Sequence, residues 1–216
     1  SDILKVLKDI RREKYDLAID LQGIERSAFF LYFCRASRKF TKGRKPFLKG
    51  FKNARKDDHA LTELRGTLNL AGIDASDFYP KIYLHEESAM SLEKKLPAAV
   101  RKSLRDDSQK VVVISPYTSW KTKDVRVSTW LSAAEIIAKK YPECQFVFSA
   151  TPDKKDELQQ ELDSFFEKRP EIAENVLNFA GQTNIQELLN LISKADLVMA
   201  SEGATGHMAS ALDTAL

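Results

Sequence analysis

The sequence is poor in cysteine and histidine and contains no long apolar run. Cys34 and Cys144 are its two cysteines, far apart and without CxxC spacing, so neither a disulfide framework nor a structural zinc site is encoded. A reducing compartment fits that usage. No stretch approaches the roughly 18 uninterrupted apolar residues of a spanning helix, and the opening SDILKVLKDIRREKY is too charged for a signal peptide. A membrane span and secretion are therefore both disfavoured. Charge of one sign is not in excess either: 34 Lys and Arg against 31 Asp and Glu leave a net +3, so anion binding requires a local concentration of cations. GxGxxG, GxxxxGK[ST] and DxD motifs are all missing. The first residue is Ser and the first element begins abruptly, as in a processed chain or a piece of a longer one.

What is present describes a folded protein. Apolar residues make up 43% and charged residues 30% of 216, the usage of an ordinary globular chain long enough for one large or two small cores. Ile3, Leu4, Leu7 and Ile10 recur at helical spacing, and the run 16–21 (DLAIDL) reads as a short buried strand. Residues 27–34 (SAFFLYFC) have the length and aromatic content of a buried helix leaving it. Residues 35–56 then hold ten Lys and Arg and no acid, with two Gly and one Pro, which predicts a mobile basic loop. A helix follows over 57–71, with Asp57 or Asp58 as N-cap and Gly72 at its end.

Pro80, Pro97 and a strongly charged helix place a linker over 81–108, between a segment 1–80 and a segment 109–216. In the latter, VVVIS (111–115), QFVFS (145–149), VLNF (176–179) and DLVMA (196–200) alternate with helices from about 128, 153, 185 and 205. Strands alternating with helices of this length indicate βα units on a parallel sheet covered on both faces, a Rossmann-like α/β half. Ligands of such sheets sit beyond the strand C-termini, just after 115, 149, 179 and 200.

Those four loops carry the candidate chemistry. After 115, Thr118 and Ser119 with Lys123 offer donors and a mobile cation to diphosphate oxygens, although an ordinary polar loop reads the same way. Asp153 is either a helix N-cap or a ribose hydroxyl ligand. Residues 180–184 (AGQTN) form a Gly turn and a capping residue, for which structure alone is sufficient. Residues 200–212 (ASEGATGHMASAL) open a helix with two glycines and small residues, so a ligand can reach free backbone N–H groups that favour an anion. His207 within it is either a packed helix-start histidine or a ligand.

Taken in order, the segments 15–28 (YDLAIDLQGIERSA), 115–119 (SPYTS) with Lys123 and Trp130, 180–188 (AGQTNIQEL) and 202–212 (EGATGHMASAL) resemble the heptosyltransferase family of lipopolysaccharide synthesis. Those enzymes are GT-B glycosyltransferases with two Rossmann-like halves. The resemblance implies that Lys123 is catalytic, offsetting leaving-group charge, and that Thr118, Ser119, Asp153, Glu202, Gly203, Ala204, Thr205 and His207 bind an ADP-sugar donor. It places Gln22, Gly23 and Arg26, and with them the basic residues Arg38, Lys39, Lys42, Arg44 and Lys45, beside an anionic glycolipid acceptor. Glu202 stands where the family has Asp, Gly203-Ala204 replaces Thr-Gly, and Asp124-Val125-Arg126 replaces the residues usual after the lysine. The family's catalytic-base Asp belongs to a region upstream of this chain, so the N-terminal half is expected to be incomplete.

The expected function is an inverting glycosyltransferase that moves a heptose-type sugar from an ADP-sugar to a lipopolysaccharide core or similar acceptor. It is expected to be cytoplasmic and peripheral on the anionic inner face of the inner membrane. A lysine and a helix N-terminus can carry the developing charge, so no metal and no cofactor is expected. The alternative is a non-catalytic module, derived from such a transferase, that binds a nucleotide or an anionic lipid. Nucleic acid is not an expected partner, because no RRM, KH or helix-turn-helix pattern accompanies the basic run.

Overall fold

The helical spacing of apolar residues at the start becomes α1 (Asp2–Arg12), and the DLAID run becomes β1 (Tyr15–Asp20). The computed structural model describes residues 2–43, 52–53, 59–106 and 108–216, which fall into two compact units, Ser1–Pro80 and Lys81–Leu216.

In the first unit, β1 is followed by α2 (Glu25–Phe33), β2 (Ala36–Thr41), β3 (Lys52–Asn53) and α3 (Ala60–Leu70), and the strands pair in parallel in the order β1-β2-β3. The first part of the basic run is thus a strand and not a loop: Leu17 pairs with Arg38, Ala18 with Lys39 and Ile19 with Phe40. Charge does not prevent this. Phe40 and Thr41 are buried while Arg38 is exposed and Lys39 partly so, because cover is confined to the C-terminal end of the strand. Arg44, Lys45, Asp57 and Asp58 lie outside the described residues. The aromatic helix α2 is less buried than its composition suggests, with Ala28 and Leu31 in the core and Phe29 and Tyr32 exposed.

Charged Glu and Lys positions around a Leu92, Leu96, Val100 spacing make α4 (Glu86–Lys95) and α5 (Ala98–Ser103), and all three apolar residues are buried in the second unit. The stretch expected as a linker is therefore part of that unit's core. After it come β4 (Val111–Ser115), α6 (Val127–Lys140), β5 (Gln145–Phe148), α7 (Lys155–Phe166), β6 (Val176–Asn178), α8 (Ile185–Lys194), β7 (Leu197–Ala200) and α9 (Ala204–Ala211). The four strands are parallel in the order β6-β5-β4-β7.

Period-two alternation divides the core between two faces. Val112, Ile114, Phe146 and Phe148 pack with Leu131, Leu158 and Leu162 from α6 and α7. Val111, Val113, Val147 and Val198 pack on the opposite side with Leu92, Leu96, Leu191, Ile192 and Ala209 from α4, α8, α9 and the α4 C-cap. The chain turns back after α9: Asp213 adopts φ 56° and the Thr214 N–H donates to the Ala209 carbonyl (3.0 Å). The Val198 N–H of β7 then donates to the Ala215 carbonyl (2.8 Å). Among the described residues, no helix is long and apolar enough to cross a membrane.

Candidate active site

Strand β4 pairs with β5 on one side and β7 on the other, so the order of connection reverses at its C-terminal end. In an open parallel sheet such a reversal leaves a crevice beyond the strand ends. Here it is a cleft of about 820 Å³, lined by the loops after β4, β5 and β7 and the start of α8. The lining includes Thr118, Ser119, Lys123, Asp153, Glu202, Gly203, Ala204 and Thr205, which the sequence singled out. His207 is not among the lining residues; it sits exposed a turn further along α9.

The loop from 116 to 125 is shaped by its own polar groups. The Asp124 carboxylate accepts the Thr118 N–H (2.7 Å), and the same Oδ1 lies 2.9 Å from the Thr118 hydroxyl. That hydroxyl also lies 2.8 Å from the Trp120 carbonyl and accepts the Trp120 N–H (3.1 Å). Both Thr118 donors therefore have internal acceptors, while Ser119 is exposed beside them. Lys123 ends a short 3₁₀ turn, Lys121–Lys123, and its ammonium stands 3.1 Å from Glu202 Oε1 across the cleft mouth.

The β7 loop supplies the second wall. Gly203 is the N-cap of α9 and no side chain caps that helix, so its first N–H groups open toward the cleft. A Cβ on Gly203 would meet the Thr118 methyl at 3.6 Å, an ordinary contact, so the glycine keeps the wall low without being conformationally required. Thr205 Oγ1 donates to Ser115 Oγ (3.0 Å), tying the helix start to the end of β4.

The third wall follows β5. Asp153 lies in a 3₁₀ turn, Pro152–Lys154, ahead of α7, whose N-cap is Lys154; the acid is thus a cleft residue and not that helix's cap. A hydrogen bond from the Thr151 side chain holds its carboxyl below the usual range, so it is an acceptor at neutral pH. Lys154 lies 5.1 Å from the Tyr117 ring centroid and 2.5 Å from Glu157, which raises its basicity. Burial, with the Glu161 and Glu157 carboxylates nearby, pushes the Tyr117 phenol up, so it remains a donor to Glu161 Oε1 (3.2 Å). Asn184 caps α8 by accepting the Glu187 N–H (2.9 Å), and Glu187 Oε2 accepts the Asn184 N–H (2.8 Å) in return.

In the first unit, two of the expected acceptor residues, Gln22 and Gly23, meet one buried carboxylate through their N–H groups. Asp20 Oδ1 accepts the N–H groups of Gln22 and Gly23 (both 3.0 Å), and Oδ2 accepts the hydroxyls of Ser27 (3.0 Å) and Thr41 (3.1 Å). Gly23 needs its left-handed backbone, φ 67°, and a Cβ there would lie 2.5 Å from the Lys42 carbonyl. Gln22 and Arg26 are exposed; Lys39 donates to the Tyr32 carbonyl (3.0 Å) and Lys42 pairs with Glu63 (3.3 Å). Among the described residues, no three His, Cys, Asp or Glu side chains come together as a metal site.

Sequence reasoning missed Asp124, Tyr117, Lys154 and Ser201 as shapers of this cleft. Tyr117 and Ser201 find their partners across loops and strands, while Asp124 meets Thr118 within its own loop and Lys154 pairs with Glu157 one turn along. Only their place in the loops beyond the strand ends could have drawn attention to them.

Glycosyltransferase family 9 (heptosyltransferase) matches residues 3–216. The lipopolysaccharide core heptosyltransferase OpsX of Haemophilus influenzae is 25% identical over 220 residues, which cover 98% of this chain and 58% of that protein. A glycosyl transferase family 9 structure from Veillonella parvula superposes with a TM-score of 0.73 at 15% identity, over 98% of this chain and 60% of that one. The E. coli ADP-heptose lipopolysaccharide heptosyltransferase II gives 0.68 at 16% identity, over 99% and 66%. The chain thus spans about 60% of the length of these relatives and has the mixed α/β, parallel-sheet fold of GT-B heptosyltransferases. It belongs to glycosyltransferase family 9, the heptosyltransferases.

Proposed function

We propose that the second unit binds an ADP-sugar and that the chain is part of an inverting transferase delivering a heptose-type sugar to an anionic glycolipid of the lipopolysaccharide core. One observation carries the reading: Lys123, the exposed Ser119 and the uncapped N-terminus of α9 converge on one cleft beyond the C-terminal ends of the paired strands β4 and β7. A diphosphate there meets a cation and backbone donors from two loops. As the sugar leaves, negative charge grows on the phosphate oxygens, and Lys123 and the α9 N–H groups stabilise it. A phosphate oxygen reaches Thr118 only by taking a donor from Asp124. Asp153 accepts from a ribose hydroxyl, and Glu202 to Thr205 hold the sugar. His207 enters the donor site only if the ligand extends along α9.

The acceptor is assigned to the first unit, where Gln22 and Gly23 lie in the turn after β1 and Arg26 in the first turn of α2. Arg38, Lys39, Lys42, Arg44 and Lys45 supply attraction to an anionic acceptor and membrane face, each about 1 kcal/mol near such a surface and screened over about 8 Å at physiological salt. In this reading the enzyme works at the cytoplasmic face of the inner membrane, held there by charge. Calorimetry with ADP on this chain, followed by incubation of the full-length gene product with ADP-heptose and a lipopolysaccharide core acceptor and mass analysis of the product, tests the proposal. A product heavier by one heptose supports it. Binding of ADP without transfer points to the non-catalytic module, and binding of neither nucleotide overturns the donor site.

A further inference from the structure

The loop that carries Ser119 and Lys123 is fastened by two residues that the donor-site reading leaves without a role. One is Ser201, the first residue after β7, with 5% of its surface exposed. Its hydroxyl donates to the Pro116 carbonyl (2.7 Å) and accepts the Val125 N–H (3.2 Å), so one buried oxygen holds both ends of the 116–125 loop. The Ser201 N–H in turn donates to the Ser115 carbonyl (3.0 Å), which locks the residue to the end of β4. The other is Asp124. A carboxylate beside a diphosphate site repels the ligand, yet a single oxygen of Asp124 meets both Thr118 donors from six residues away and closes the loop internally.

We propose that Ser201 and Asp124 are positioning residues forming a clasp that holds the Lys123 loop against the β7–α9 turn in its diphosphate-binding conformation. The inference rests on the donor-site reading above. Ser201 immediately precedes Glu202 and Gly203, so the same clasp that fixes the loop fixes its distance from the Glu202 carboxylate and the α9 N–H groups. Groups from two loops then meet the diphosphate without first being ordered, and that ordering cost is what preorganisation removes from binding. Asp124 acts here as a hydrogen-bond acceptor and not as a charge. An asparagine, which keeps the acceptor oxygen and removes the repulsion, is expected to serve as well or better.

The test uses the full chain and compares the parent with Ser201→Ala, Asp124→Ala, Asp124→Asn and Lys123→Ala. Two measurements are made on each: amide hydrogen exchange of the 116–125 peptide without ligand, and ADP affinity by calorimetry. Ser201→Ala and Asp124→Ala are expected to lose protection in that peptide while the β4 and β5 peptides keep theirs, and to bind ADP roughly 5- to 20-fold more weakly. Asp124→Asn is expected to keep both properties. Parent-like ADP affinity in the two alanine variants, with Lys123→Ala weakened, overturns the clasp and leaves the donor site standing. Weak binding by Asp124→Asn equal to that of Asp124→Ala, with the loop still protected, also overturns it, since charge would then be the active property. If the parent binds no ADP, or Lys123→Ala binds it as the parent does, the donor-site reading fails and the positioning role falls with it. Should Ser201→Ala fail to fold, the two Asp124 variants decide.

Discussion

The ammonium of Lys95 stands 2.7 Å from the carboxylate of Glu187, a side chain with 1% of its surface exposed. Ser91 Oγ donates to the same carboxylate (2.7 Å), and Lys95 also donates to the Gln182 carbonyl (3.1 Å). Helix α4 is thereby tied to the capped start of α8 and to the turn that precedes it. Burial opposes ionisation of Glu187, but hydrogen bonds from Lys95, Ser91 and the Asn184 N–H outweigh it and hold the carboxyl below its ordinary 4.5. Lys95→Met leaves a buried carboxylate short of a donor and is expected to cost about 1–3 kcal/mol, read from chemical denaturation.

The pH dependence of that tie has a definite sign. The unfolded chain binds the Glu187 proton more tightly than the folded one, so the carboxylate's contribution is complete above about pH 4.5 and is lost as pH falls through the lower native value. Thermal unfolding from pH 6 down to pH 3 is expected to show a steeper fall in Tm for the parent than for Glu187→Gln. Parallel curves would remove Glu187 from the acid sensitivity.

Lys123→Ala is expected to weaken ADP binding by about 10- to 100-fold with Tm unchanged. An ion contact to phosphate is typically worth about 1.5–3 kcal/mol, whereas the exposed Lys123–Glu202 pair adds little to stability. Calorimetry and a melting curve on one sample separate the two effects.

Gly181 adopts φ 70°, and a Cβ there would lie 2.8 Å from the Pro152 Cα, which is backbone and cannot swing away. Gly181→Ala is therefore expected to destabilise the second unit by about 1–3 kcal/mol and to displace the turn carrying Asp153, with Gly203→Ala as a tolerated control. Denaturation midpoints of the two variants check it.

Cys144 is fully buried, and burial pushes its thiol up to about 12, whereas Cys34 is partly exposed. At pH 8 an aromatic disulfide reagent is expected to modify one thiol in the folded chain and both in denaturant. Two fast thiols in the folded state would contradict the packing of β5.

How far the sequence reveals the fold depends on where each residue finds its partners. The strands of the second unit are legible because runs such as VVVIS and QFVFS are apolar on both faces and bounded by caps. Strand β2 is hidden because Arg38 and Lys39 occupy its middle, and burial is confined to Phe40 and Thr41 at its end, where both faces are covered. Helix α4 is masked by Glu and Lys, although the Leu92, Leu96, Val100 spacing carries the core signal. Within the site, Lys123 and Glu202 are legible from their strand-end positions. Ser201 is not, because its partners at 116 and 125 are joined to it only by the pairing of β4 with β7.

The hydrogen bond from the Val198 N–H to the Ala215 carbonyl bears on how the protein behaves when concentrated. A sheet border with unpaired N–H groups is a template on which a second chain can add. At β7 the chain occupies that template itself, turning back through the left-handed Asp213 to do so. The opposite border of the same sheet, β6, is three residues long and too short to nucleate a stable ladder. A chain adding at the β7 border would find the Val198 N–H already paired, and one adding at β6 would have three residues to pair with.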